Sequence, residues 1–305
     1  MILTRRSANF LLLMVSAIWG LAFVAQRMGM DHMGPFAFNA VRFAVGSVFL
    51  LPFLVFGIPG TRRMPLVTGS GRDLVLGGLL VGALIFTGST FQQFGVAHTS
   101  AGKAGFITGL YVVFVPLLGL VRGLRTRPVV WCGVVLAAVG LYLLSGEGLS
   151  GEGLGRAGLL RIGLGDGLVL AGAVFWALHV LGVGRYANRT NPLALAVIQF
   201  ALCSLLSLAG ALLFETLSWA AIRAAAGPIL YAGVMSTGVA FTLQIVGQRR
   251  AHPAYAALVL SLEGVFAAVG GWVLLGETLT DTGLLGCALM LGGTILAQVE
   301  PRGGK

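Results

Sequence analysis

Ten mostly apolar stretches leave this 305-residue chain few ways to fold: about 9–27, 35–57, 74–97, 101–121, 129–145, 166–187, 192–214, 227–248, 254–276 and 282–299. A helix needs roughly 20 such residues to cross a bilayer, and most of the ten reach that length. Backbone amides in hydrocarbon find no water, so stretches of this kind must satisfy themselves as helices. Only 10% of the residues are charged and 57% are hydrophobic, with a mean hydropathy of +0.94. That is too little charge to cover a soluble surface. The 47 glycines suit close helix packing in lipid. The expected fold class is an all-α membrane protein with ten transmembrane helices and the lipid bilayer as its main partner.

The ten stretches come in two sets. Trp19, Pro35 and Phe43 recur as Trp176, Pro192 and Phe200. Thr87-Gly88 recurs as Thr237-Gly238, and Ala97-His98 as Ala251-His252. The break between sets falls in residues 146–165, a Gly-rich segment with two Glu and two Arg that reads as a linker. This divides the chain into a first repeat, 8–145, and a second, 166–299, of five spans each. An odd number of spans per copy turns the second copy upside down, which is the inverted-topology arrangement of many secondary transporters.

Charge sets the expected orientation. If separators alternate between sides, the N-terminal side collects 14 Lys and Arg and the opposite side five, with Arg42 inside a span. Lys- and Arg-rich loops stay cytoplasmic, so both termini are expected there. Arg5-Arg6 before an apolar run resembles a leader peptide. The match of Trp19 to an internal Trp176 argues that 9–27 is a retained span. The net charge of +10 does not point to nucleic acid, because the basic residues are scattered between apolar runs. Cys132, Cys203 and Cys287 sit in apolar runs without CxxC spacing, so neither metal nor disulfide chemistry is expected.

Polar residues inside spans need partners or a water-filled cavity. They concentrate in spans three, four, eight and nine and are nearly missing from five and ten, which read as scaffold. Glu263, near mid-bilayer, has two readings: a titrating carboxyl that couples proton movement to transport, or a structural carboxyl bonded to a neighbouring helix. His179, three residues after Trp176, faces a substrate or a backbone carbonyl. Arg42 pairs with a substrate carboxylate, or snorkels or bonds another helix; the last two are preferred here. Trp19, Phe91, Tyr111, Trp176 and Phe241 lie deep, either as walls for a flat ligand or as filler between Gly-rich helices. Pro116 is a candidate hinge in span four.

No phosphate-cradling GxxxxGK[ST], HExxH or GxSxG occurs, and no segment between spans exceeds about 20 residues. No enzyme activity and no cofactor is expected.

Several motifs resemble the drug/metabolite transporter superfamily with its repeated EamA-type domain. They are Trp19-Gly20, Pro35, Arg42-Phe43, Ala97-His98-Thr99-Ser100-Ala101, Leu262-Glu263-Gly264 and Gly276-Glu277-Thr278-Leu279-Thr280. Gly264 stands where the family usually has proline, which predicts a softer bend beside Glu263. The resemblance implies an inner-membrane exporter of small metabolites, with amino acids as common substrates; the aromatic interior points toward the aromatic-amino-acid branch. The expected cavity lies between spans one, three, four, six, eight and nine. Gln92, Gln93, His179, Gln244 and Ser261 would bind the polar end of the solute, and Trp19, Tyr111, Trp176 and Phe241 would wall its apolar part. The alternative is a toxic-amine exporter coupled to protons through Glu263. A monomer is expected.

Overall fold

The computed structural model describes residues 4–57, 70–99, 101–147, 163–275 and 281–297. Most of the linker 146–165, the Gly276–Thr280 motif and the chain beyond Ala297 lie outside the described residues. Among the described residues there are helices and connections and no strand. The spans run as α1 (Arg5–Met30), α2 (Pro35–Phe56), α3 (Gly71–His98), α4 (Ala101–Gly109 with Tyr111–Val121) and α5 (Pro128–Glu147). They continue as α6 (Leu164–Tyr186), α7 (Pro192–Phe214), α8 (Ala226–Gln248), α9 (Pro253–Leu260 with Glu263–Leu275) and α10 (Asp281–Leu296). A short helix, Trp219–Ala224, links α7 to α8. Eight of the ten are long and apolar enough to cross a bilayer by themselves, and α5 and α10 are the shorter two.

Local chemistry sets the helix starts. Pro35, Pro192 and Pro253 each occupy the first turn of a helix, where a missing N–H costs nothing. Ser70 accepts from the Arg72 amide at 3.1 Å, and Asn191 from the Leu193 amide at 2.9 Å.

Contacts between helices report their relative direction. α2 and α7 run antiparallel: Ser204 Oγ donates to the Ala40 carbonyl at 2.8 Å, and Ser47 Oγ to that of Val197 at 3.4 Å. α3 and α6 are antiparallel too, with Gly95 against Val169, Gly88 against Trp176 and Gly77 against Tyr186. So are α5 and α10, where Gly133 meets Gly293 and Gly140 meets Gly286. In contrast, α3 and α7 run parallel, with Gly78 on Ile198 and Gly82 on Leu202, as do α2 and α8, with Gly46 on Thr237 and Gly238 on Phe49. Helices an odd number of spans apart are antiparallel and those an even number apart are parallel. This parity is what ten consecutive crossings require, and one missing span would break it.

The helix contacts are themselves symmetric between the copies. Exchanging each helix for its counterpart in the other copy turns α3–α6 into α8–α1, α3–α7 into α8–α2 and α1–α9 into α6–α4, and all of these pairs pack together. α2–α7 and α5–α10 map onto themselves. Every principal contact of one copy is thus made with the other, as in inverted repeats about an axis in the membrane plane.

Two helices break at matching places. α4 is interrupted at Leu110 and α9 at Ser261–Leu262, directly before Glu263. The candidate hinge residue Pro116 lies inside Tyr111–Val121, beyond the break that follows Gly109. With Gly264 where the family usually has proline, α9 is still interrupted beside Glu263. Turn-type bonds from Leu262 N to Val259 O and from Gly264 N to Ser261 O, both 3.2 Å, carry the chain through the break. α8 holds a third irregularity, a π-helix over Tyr231–Phe241. Wide turns of this kind are rare and gather at functional sites.

At the α1–α2 end of the bundle, the Glu215 carboxylate after α7 accepts from the amides of Phe36 (2.9 Å) and Ala37 (2.8 Å) in the first turn of α2. A carboxylate in this position satisfies free amides and meets the positive helix end. Glu215→Ala is expected to cost about 1–2 kcal/mol of stability by analogy with lost helix caps. Thermal unfolding in detergent would read this as a drop of a few degrees, and an unchanged transition would remove the capping role.

Candidate functional site

A narrow cavity of ≈ 40 Å³ lies between the two copies. It is lined from α1 by Trp19, Ala22, Phe23 and Gln26, from α2 by Arg42 and from α3 by Gln92. α4 adds Thr108 and Tyr111; α6 adds Trp176, His179 and Val180; α8 adds Ser236, Phe241 and Gln244; α9 adds Glu263. At about 10–15 Å³ per water, it holds about three waters and no metabolite, so it must widen to take a solute.

Phe241 is the hub of an aromatic cluster. Its ring centroid lies 4.6 Å from Trp19, 5.8 Å from both Trp176 and His179, and 5.9 Å from Phe200. Contacts of this geometry add to simple burial and hold the rings in place. Phe241 ends the π-helical stretch, so the irregular backbone of α8 sets the position of the hub. Trp19 Nε1 donates to the Ser236 carbonyl within that stretch at 3.3 Å. Phe91 stands apart, stacked on Phe175 at 5.7 Å.

The polar lining sorts into spent and unspent groups. Trp176 Nε1 donates to Gln92 Oε1 at 2.7 Å, and Gln92 Nε2 donates to Gln26 Oε1 at 2.9 Å. This chain fixes one wall. His179 Nε2 shares a 3.0 Å hydrogen bond with Gln199 Oε1. By contrast, Gln244 is wholly buried and neither end of its amide has a protein partner. Thr108 Oγ1 and His179 Nδ1 are likewise buried without one, and the Tyr111 hydroxyl and the Glu263 carboxyl have each other. Tyr111 and Glu263 lie beside each other across the break in α9. Buried polar atoms are nearly always bonded, so these groups around one cavity are open to water or to a solute.

Of the residues singled out from sequence, the cavity brings together Trp19, Gln92, Tyr111, Trp176, His179, Phe241, Gln244 and Glu263. It does not include Gln93, whose Nε2 donates to the Gln26 carbonyl at 3.3 Å, or Ser261, whose Oγ donates to the Leu258 carbonyl at 2.9 Å. Arg42 is the main correction. It neither snorkels nor bridges to another helix. It is 3% exposed, donates through Nε to Asn39 Oδ1 at 2.9 Å on its own helix, and lies 4.6 Å over the Phe43 ring. Among the described residues, no carboxylate pairs with it. Gln26 escaped the sequence reading because it lies near the expected end of span one, whereas α1 continues to Met30.

The sequence profile of the EamA-like transporter family matches this chain twice, over residues 6–146 and 163–298. A protein of Archaeoglobus fulgidus described as a transporter is 33% identical over 97% of this chain and 87% of its own length. The inner membrane transporter YedA of Escherichia coli is 24% identical over 92% of this chain and 87% of its own. The threonine/homoserine exporter RhtA of Salmonella typhimurium is 28% identical over 58% of each chain. A solved crystal structure shares the fold, with a TM-score of 0.74 at 20% identity over 97% of both chains.

Proposed function

This chain belongs to the EamA-like transporter family, and on that premise we propose that it exports a small zwitterionic amino acid, neutral or aromatic in its side chain. It is a multi-pass membrane transporter, and the relatives named above are transporters rather than enzymes. In the proposed arrangement two repeats, 8–145 and 166–299, flank the linker 146–165, both termini face the cytoplasm of the cell inner membrane, and one copy is the working unit.

The observation that carries the substrate assignment is a guanidinium and a carboxyl lining one cavity. Among the described residues Arg42 has no protein carboxylate, and the Glu263 carboxyl has the Tyr111 hydroxyl beside it. An α-carboxylate matches the guanidinium, an α-ammonium matches the carboxyl, and the aromatic rings suit both a cation and an apolar side chain. Gln244, Tyr111, Thr108 and His179 supply further hydrogen bonds. Threonine and homoserine, which RhtA is named for exporting, are zwitterions of this kind. The competing reading, a toxic-amine exporter coupled to protons through Glu263, has no use for Arg42, which repels an amine.

Transport follows by alternating access. The breaks in α4 and α9 and the π-turns of α8 all abut the lining. They are the points where one copy can rock on the other and widen the narrow cavity. Uptake into proteoliposomes separates the two readings. Labelled threonine and phenylalanine are expected to move and phenethylamine, which lacks the carboxylate, is not; Glu263→Gln is expected to slow the amino acids about tenfold or more. Amine transport equal to that of phenylalanine, and abolished by Glu263→Gln, would replace this proposal with the competing one.

A further inference from the structure

Gln26, Gln92 and Gln244 all line the central cavity, but their amides stand in different states. Gln92 is spent at both ends: its Oε1 accepts from Trp176 Nε1 and its Nε2 donates to Gln26 Oε1. Gln244 is wholly buried, and neither its Oε1 nor its Nε2 has a protein partner. An amide buried this way costs two unmade hydrogen bonds, a cost that an apolar side chain of similar size would not carry. Whatever fills the cavity beside Gln244 decides whether that cost is recovered.

Depth along the helices sets which part of a solute Gln244 meets. Trp19 Nε1 reaches the Ser236 carbonyl, and the Glu263 carbonyl lies against Gly20, the next residue of α1. The Arg42 carbonyl lies against Gly233. The backbones of Arg42 and Glu263 are therefore level with the first half of the π-helical stretch Tyr231–Phe241. Gln244 follows about two turns later, roughly 10 Å nearer the end of the bundle that carries the start of α1. Gly247, one turn further on, already meets Leu12 and the Ala8 carbonyl. Gln244 shares a helix face with Phe241, and Gln248 beyond it is tied to the Val180 carbonyl at 2.9 Å. The guanidinium and the carboxyl thus serve one end of the cavity, and Gln244, with Phe241, His179 and Val180, surrounds the other.

With the α-carboxylate and α-ammonium held by Arg42 and Glu263, the side chain of a bound amino acid is what reaches Gln244. An amide oxygen accepts and an amide N–H donates. A hydroxyl or carboxamide on the solute satisfies both, whereas an apolar side chain satisfies neither and keeps both atoms buried and unpaired. We infer that Gln244 is the specificity-determining residue of the cavity, favouring amino acids with a hydroxyl or carboxamide side chain over apolar ones of the same shape. This rests on the zwitterion reading of the cavity and narrows it.

Uptake of two shape-matched pairs into proteoliposomes tests it: threonine against valine, and asparagine against leucine. The wild-type protein is expected to take up the polar member of each pair with a kcat/KM about tenfold or more higher. Gln244→Leu is expected to bring both ratios to about one or below, with the polar member falling and the apolar member rising, because no amide is left to be buried unpaired. Gln244→Met, unbranched like glutamine, serves if the first variant unfolds at a lower temperature than wild type. Ratios near one in the wild type, or ratios kept by a variant that unfolds at the wild-type temperature, would overturn the role of Gln244 and leave the zwitterion reading standing, since all four solutes are zwitterions. Uptake of none of the four by the wild type would overturn both.

Discussion

Gly133→Leu is expected to abolish most of the folded protein, while Gly292→Leu is expected to leave it unchanged. A Cβ at Gly133 would lie 2.7 Å from the Gly293 carbonyl oxygen and 2.9 Å from Leu258. The first of these is backbone and cannot swing away, so α5 and α10 would have to separate. Overpacking of this kind costs about 1–3 kcal/mol for small additions and more for a whole isobutyl group. Gly292, one residue from Gly293, has nothing within 4 Å of an added Cβ. Size-exclusion yield and thermal unfolding of both variants, with Gly133→Ala as a graded step, check this. Equal behaviour at 133 and 292 would mean that the close glycine contact does not hold the pair.

Arg42→Gln is expected to lower kcat/KM for a neutral amino acid about 100-fold while leaving the fold intact. The change removes a buried charge that no described acid balances, so the folded state loses a costly group as well as a donor. A charge-assisted contact to a desolvated carboxylate is worth roughly 2–5 kcal/mol, and about 2.7 kcal/mol corresponds to 100-fold. Arg42→Lys should recover part of the rate, because it keeps the charge but loses the fork. Transport unchanged in Arg42→Gln would remove the carboxylate partner and with it the zwitterion assignment.

Much of the bundle was readable from order and spacing. Apolar runs of bilayer length and the recurrence of Trp19, Pro35 and Phe43 are features of the chain itself, so they required no knowledge of contacts. Spans five and ten, read as scaffold for lack of polar groups, pack on each other through paired glycines. Helix faces are a different matter. A helix in lipid is apolar all round, so its sequence does not tell the side that meets protein from the side that meets hydrocarbon. That is why the sequence places Arg42 at the interface or against another helix and does not single out Gln26. Gln93, one residue from Gln92, was given the same role, yet a 100° turn of the helix separates them, and only Gln92 reaches the cavity. The π-turns of α8 leave no composition signal, because Tyr231–Phe241 reads as ordinary helix.

The cross-copy pairing has a consequence for how the protein is made. α2 is complete at Phe56 but its partner α7 begins only at Pro192. At 5–20 residues per second, the ribosome takes roughly 7–27 s to supply it. During that interval Asn39 and Arg42 are already in or beside the bilayer with half their surroundings unmade. The nascent first half is therefore a natural client for an insertase or membrane chaperone that shields polar helices until their mates arrive. The order of synthesis, as much as the final packing, limits which residues the buried face of α2 can carry.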